Sequence, residues 1–169
     1  MGYTHYWTPK KVSAKKFKDF SDTCKILHDN LPDKSDTAGG YHSDGKIVIG
    51  DGSGHLNLST DDKPEFSKDI VCFNGVGEDS HETFVIAHKQ TDWEFCKTAR
   101  KPYDLLVCAC LLAAIDILDY KITSDGDLND WIPAMKFYNK VIEKTKADRT
   151  FIINNSRITN AYMKQFGIV

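Results

Sequence analysis

Between residues 14 and 30 the apolar positions fall three or four apart: Phe17, Phe20, Cys24, Leu27 and then Leu31, with Lys and Asp filling the gaps. That spacing predicts an amphipathic helix with one apolar face. Ser13 stands where an N-cap belongs, and Pro32 stops the run. Residues 102–119 behave differently, being apolar nearly all round, so a helix there needs cover on every side. Pro102 and Asp104 suit its opening turn. A third helix follows the turn residues Asp125, Gly126 and Asp127, with Trp131, Met135, Tyr138 and Ile142 on one face. Pro133 is tolerable there if the helix begins near residues 128–130.

Short β-rich runs lie between these helices. Residues 3–8, 46–50, 70–75, 83–88 and 122–124 read as strands, with a further short candidate at 55–59. The runs at 70–75 and 83–88 are expected to form an antiparallel hairpin, while 92–101 reads as a connection. The resulting order, β-α-β-β-β-α-β-α, predicts an α+β fold: a mostly antiparallel sheet with about three helices packed on one face. Residues 1–145 form a single domain on this reading, and 146–169 are a C-terminal extension packing on the domain or on a partner chain.

Size and charge narrow the possibilities. A chain of 169 residues has room for one core. With 22 Lys+Arg against 24 Asp+Glu, nothing draws it to duplex nucleic acid or to an anionic membrane, so an anion site must be local. The apolar stretch 105–115 is too short to span a bilayer, and the first residues lack the pattern of a secretory signal. Five cysteines without a C-x-x-C fit a reducing, cytoplasmic setting. The all-apolar second helix, with Phe151, Ile152 and Ile153 in the tail, leads to the expectation of a homodimer.

Candidate chemistry concentrates at residues 95–104, where cations and a hydroxyl precede a helix start whose free N–H groups favour an anion. Lys97, Thr98, Arg100 and Tyr103 are the candidate phosphate ligands, and Asp104 and Asp125 the acceptors for ribose hydroxyls or base amines. On the first strand, alternation sends Tyr3, His5 and Trp7 to one face and Tyr6 to the other, so His5, Tyr6 or Trp7 could stack a base. The plainer alternative is that Pro102 and Asp104 only begin a helix and the rings are core.

Other motifs fail. There is no P-loop, and Gly50-Asp51-Gly52-Ser53-Gly54 opens no helix. Cys96 and Arg100 stand four apart, not the six of a cysteine phosphatase loop. His81-Glu82-Thr83-Phe84 has the form of one half of a two-histidine phosphoesterase, without its second copy. If the chain is an enzyme, His81 or His5 would be the acid/base and Glu82 its orienting group. Residues 125–130 begin like a calcium loop but lack its Gly and Glu, and His42, Asp44, Asp51 and His55 have no ligand spacing, so no metal or cofactor is expected.

The segments Met1 to Trp7, His81 to Phe84, Phe95 to Asp104, and Ser124 to Gly126 with Trp131 also carry a resemblance. In that order they resemble a family of small, mostly uncharacterised phage and bacterial proteins, over residues 1 to about 145. The resemblance implies a free-standing phage accessory protein, working in the host cytoplasm, of a kind that often blocks host defences. Because several defences signal through diffusible nucleotides, the implied function is to bind and sequester a small phosphorylated nucleotide-derived signal, of cyclic dinucleotide or ADP-ribose type. The alternatives are a phosphodiesterase that cleaves such a signal and a protein-interaction module.

Overall fold

The structure is a computed structural model describing residues 2–34, 45–54 and 62–145. Its elements are β1 (Thr4–Thr8), α1 (Ala14–Asp29), β2 (Glu65–Phe66), β3 (Ile70–Phe73), β4 (Phe84–Ala87), β5 (Glu94–Lys97), α2 (Asp104–Ala113), β6 (Lys121–Ser124) and α3 (Leu128–Thr145). The fold is α+β with antiparallel strands, as the pattern predicts. The strands divide into two three-stranded sheets, ordered β5-β1-β6 and β2-β3-β4.

Each helix follows from its sequence. Ser13 Oγ accepts from the Lys16 N–H and caps α1, whose Phe17, Phe20, Cys24 and Leu27 are buried. In α3, Asp127 Oδ1 accepts from the N–H groups of Asn129 and Asp130, and Pro133 sits six residues into the helix, near its start. Every residue of α2 from Leu105 to Ala113 is buried, and a π-helical turn, Ala114–Leu118, ends at Asp119 in a left-handed conformation (φ 57°). The cover for α2 comes from α1 and α3 of the same chain. The expectation of a homodimer is therefore corrected as far as it rested on α2: its apolar surface is satisfied within one protomer.

Two strand expectations also change. Residues 46–50 form only isolated bridges, Lys46 with Asp33 and Gly50 with Asn74. Ile47 and Ile49 are buried and Val48 is exposed, so the alternation is real, but among the described residues it forms no ladder beyond those bridges. The segment read as a connection contains β5, which pairs with β1. The hairpin is present as β3 and β4, in register from Ile70 opposite Ala87 to Phe73 opposite Phe84. The candidate strand at 55–59 and the extension 146–169 lie outside the described residues. No described helix is long and apolar enough to cross a membrane.

Candidate functional site

β1 is the central strand of its sheet, with β5 on one side and β6 on the other, so its alternation sorts the candidate residues into an inner and an outer set. The inner set is Tyr3, His5 and Trp7, all buried. Trp7 packs on Phe84 of the other sheet, with ring centroids 5.4 Å apart, and is core rather than a stacking surface. His5 is fully buried between the edges of Tyr3 and Trp131. Its Nε2 lies 2.8 Å from Asp104 Oδ1 and its Nδ1 2.9 Å from Ser124 Oγ. Asp104 Oδ1 also accepts from the Thr98 hydroxyl at 2.5 Å, and Cys108 Sγ lies 3.7 Å from Oδ2.

These contacts correct the anion site expected at the start of α2. Thr98 is buried and its hydroxyl is given to Asp104, the helix's own first-turn carboxylate, which already complements the dipole. Tyr103 is buried as well, donating to the Glu82 carbonyl at 2.6 Å, so it offers no face to a ligand. Arg100 is ion-paired with Asp130, and its guanidinium carbon lies 4.0 Å from the centroid of the Tyr3 ring. The hydrogen bond from Arg100, opposed by partial burial, sets the Asp130 carboxyl below the ordinary aspartate range. Ala99 and Arg100 both have positive φ (50° and 59°), a conformation uncommon in side-chain-bearing residues, and the Thr98 and Ala99 N–H groups both donate to the Tyr3 carbonyl.

The acid/base expectation is likewise corrected. The Glu82 carboxylate accepts the Lys97 N–H at 2.6 Å and so anchors β5 instead of orienting His81, whose side chain is exposed. His5 is held by Asp104 and Ser124, with both ring nitrogens engaged inside the core. Burial pushes the Cys96 thiol pKa well up, the opposite of what a nucleophile requires. Of the calcium-like run, Asp127 caps α3 and Asp130 holds Arg100. Gly126 lies where a Cβ would come within 2.4 Å of the Tyr3 hydroxyl, so only glycine lets the 124–126 turn close over that ring.

The outer set is open. Tyr6 is half-buried and stacks on Trp93, with centroids 5.6 Å apart and planes 18° from parallel. Phe95, opposite Tyr6 in the β1–β5 register, lies 5.5 Å from Trp93. Trp93 is 56% exposed and Phe95 46%. Lys97 continues this face of β5, opposite Thr4, and has no acidic partner among the described residues. On the far side, Asp125 exchanges two contacts with the Thr4 backbone, and its Oδ1 accepts from the Tyr6 hydroxyl at 3.2 Å.

No protein-family model, curated protein or solved structure matches the chain. The outer face therefore speaks through its chemistry alone: flat apolar rings, the cation Lys97 beside them, a second lysine, Lys121, opposite Thr8 on β6, and one exposed carboxylate on a small sheet. Of the residues expected in the site, Tyr6, Lys97 and Asp125 meet here, whereas His5, Trp7, Thr98, Tyr103 and Asp104 lie beneath. Trp93 and Phe95 were missed by sequence reasoning. Their signal was the alternation Trp93-Glu94-Phe95-Cys96-Lys97, a strand pattern running into Thr98.

Proposed function

We propose that the chain binds a small phosphorylated, nucleotide-derived ligand on the outer face of the β5-β1-β6 sheet and holds it without cleaving it. The reading rests on one observation: Tyr6, Trp93 and Phe95 form an exposed cluster of rings beside Lys97. A base would stack on Trp93 or Phe95, Lys97 would supply charge to a phosphate, and Asp125 would accept from base amines or ribose hydroxyls. With the resemblance to phage accessory proteins, this supports sequestration of a diffusible cyclic-dinucleotide or ADP-ribose-type signal in the host cytoplasm. An acid/base role for His5 is disfavoured because its two ring nitrogens are engaged inside the core, and Glu82, which accepts the Lys97 N–H, does not orient His81.

The test is calorimetric titration of the protein with cyclic dinucleotides and with ADP-ribose, followed by mass spectrometry of what heating releases. Binding and intact release are expected. Trp93→Ala and Phe95→Ala should each weaken binding by about 1–3 kcal/mol, roughly five- to 150-fold, because each removes a stacking surface. Both side chains are largely exposed, so the melting temperature should stay nearly unchanged. Full affinity in both variants, or no binding of any such ligand by the unaltered chain, overturns the reading. Release of a linearised or shortened product would replace it with the hydrolase.

A further inference from the structure

Beneath the open face lies a cluster that the proposed ligand would not touch. His5 from β1 and Asp104 and Cys108 from α2 bring an imidazole nitrogen, a carboxylate oxygen and a thiol sulfur within 4.8 Å of one another. Asp104 and Cys108 stand at i and i+4, so they share a helix face, and that face looks onto His5 of β1. His5 and Cys108 are at most 1% exposed, while the Asp104 side chain is 17% exposed.

We propose that His5 Nε2, an Asp104 carboxylate oxygen and Cys108 Sγ form a binding site for a single zinc ion. The separations come near those of a zinc site. A tetrahedral zinc with one nitrogen, one oxygen and one sulfur ligand has edges of about 3.3–3.6 Å. Cys108 Sγ lies 3.5 Å from His5 Nε2 and 3.7 Å from Asp104 Oδ2. Asp104 reaches Cys108 through Oδ2 and His5 through Oδ1, so the carboxylate would turn to offer one oxygen to the ion, and the 2.8 Å between His5 Nε2 and Asp104 Oδ1 would open by about half an ångström once the ion replaced that hydrogen bond. The ligand set is the mixed sulfur, nitrogen and oxygen chemistry that zinc takes, and three protein ligands leave its fourth position to a water molecule.

A second, independent observation is the group behind the histidine. A metal-bound imidazole is held by a hydrogen bond from its other nitrogen, and His5 Nδ1 lies 2.9 Å from Ser124 Oγ. Ser124 Oγ already accepts from the Gly126 N–H at 2.9 Å and has a second lone pair for Nδ1–H, so the tautomer with Nε2 free for the ion is satisfied in place. Thr98 holds Asp104 in the same way. The charges also close. Zinc binding takes one proton from the Cys108 thiol and shifts the imidazole proton from Nε2 to Nδ1. One thiolate and one carboxylate then neutralise the divalent ion in a buried place. Without the ion, burial and then the neighbouring Asp104 carboxylate hold the Cys108 thiol pKa well above its ordinary value.

The 169-residue chain, stripped with a chelator, is titrated with cobalt chloride and with zinc chloride. One equivalent of cobalt should give the near-ultraviolet thiolate-to-cobalt absorption, and zinc should displace it, raise the melting temperature and release about one proton per ion. Cys108→Ser should abolish the absorption, whereas Cys110→Ala, which removes a different buried thiol of α2, should keep it. Ser124→Ala should weaken zinc about ten- to a hundredfold. If Cys108→Ser fails to fold, X-ray absorption of the zinc-loaded unaltered protein decides, since one sulfur ligand at about 2.3 Å is required. No thiolate absorption in the unaltered protein, undiminished absorption in folded Cys108→Ser, or a zinc shell without sulfur overturns the site. None of these readings depends on the nucleotide ligand.

Discussion

Arg100 shows how a residue type that suits one role can serve another. As a cation just ahead of a helix start it reads as a phosphate ligand, yet it lies between the Tyr3 ring and the Asp130 carboxylate and ties the 98–101 turn to α3. The pair is partly exposed, the Arg100 side chain being 41% accessible, so its worth is at most about 1 kcal/mol. Asp130→Asn should therefore lower stability at neutral pH by about that amount or less. The sign with pH follows from the depressed carboxyl. The contribution is complete above the ordinary aspartate value of about 3.9 and is lost as pH falls through the lower folded value. Chemical denaturation of both proteins from pH 7 to pH 3 should show the gap closing at the acid end, and a gap that widened there would refute the pairing. Arg100→Ala should leave nucleotide affinity unchanged while Lys97→Ala reduces it.

Among the elements, α1 and α2 are stabilised differently and should fail differently. α1 is amphipathic, and its start depends on Ser13. Ser13→Ala is expected to cost about 0.5–2 kcal/mol, the loss of a single cap. α2 is buried on all sides, so its stability comes from packing. Leu111→Ala should cost about 2–5 kcal/mol, according to how far the core closes over the space left. Urea unfolding of the two variants should rank them in that order. β5, like the two-residue β2 in a stretch read as loop, shows why a strand can go unread: Glu94 to Lys97 is four residues long, and its strand character depends on β1 lying in register beside it and on the Glu82 carboxylate holding the Lys97 N–H.

Across the whole molecule, Trp7 on Phe84 joins one sheet to the other, and α1, α2 and α3 cover the apolar surface between them. An apolar helix with no exposed face leaves no reason for a partner on its account, and sedimentation at micromolar concentration is expected to give the mass of one 19.1 kDa chain. A dimer would place the interface elsewhere, the open ring cluster being the first surface to examine. The amino-acid order was enough to determine α1 with its Ser13 cap, the buried character of α2, the turn opening α3 and the β3–β4 hairpin, because periodicity, capping and turn chemistry act over a few residues. It also determined that Tyr6 would part from His5 and Trp7, since alternation along a strand is local. Only the tertiary structure decided which of those faces is core and which is open. It alone brought Trp93 and Phe95 beside Tyr6, and His5 within reach of Cys108, 103 positions away. Such pairings depend on strand partners and helix packing across the whole chain, and neighbouring residues carry no record of them.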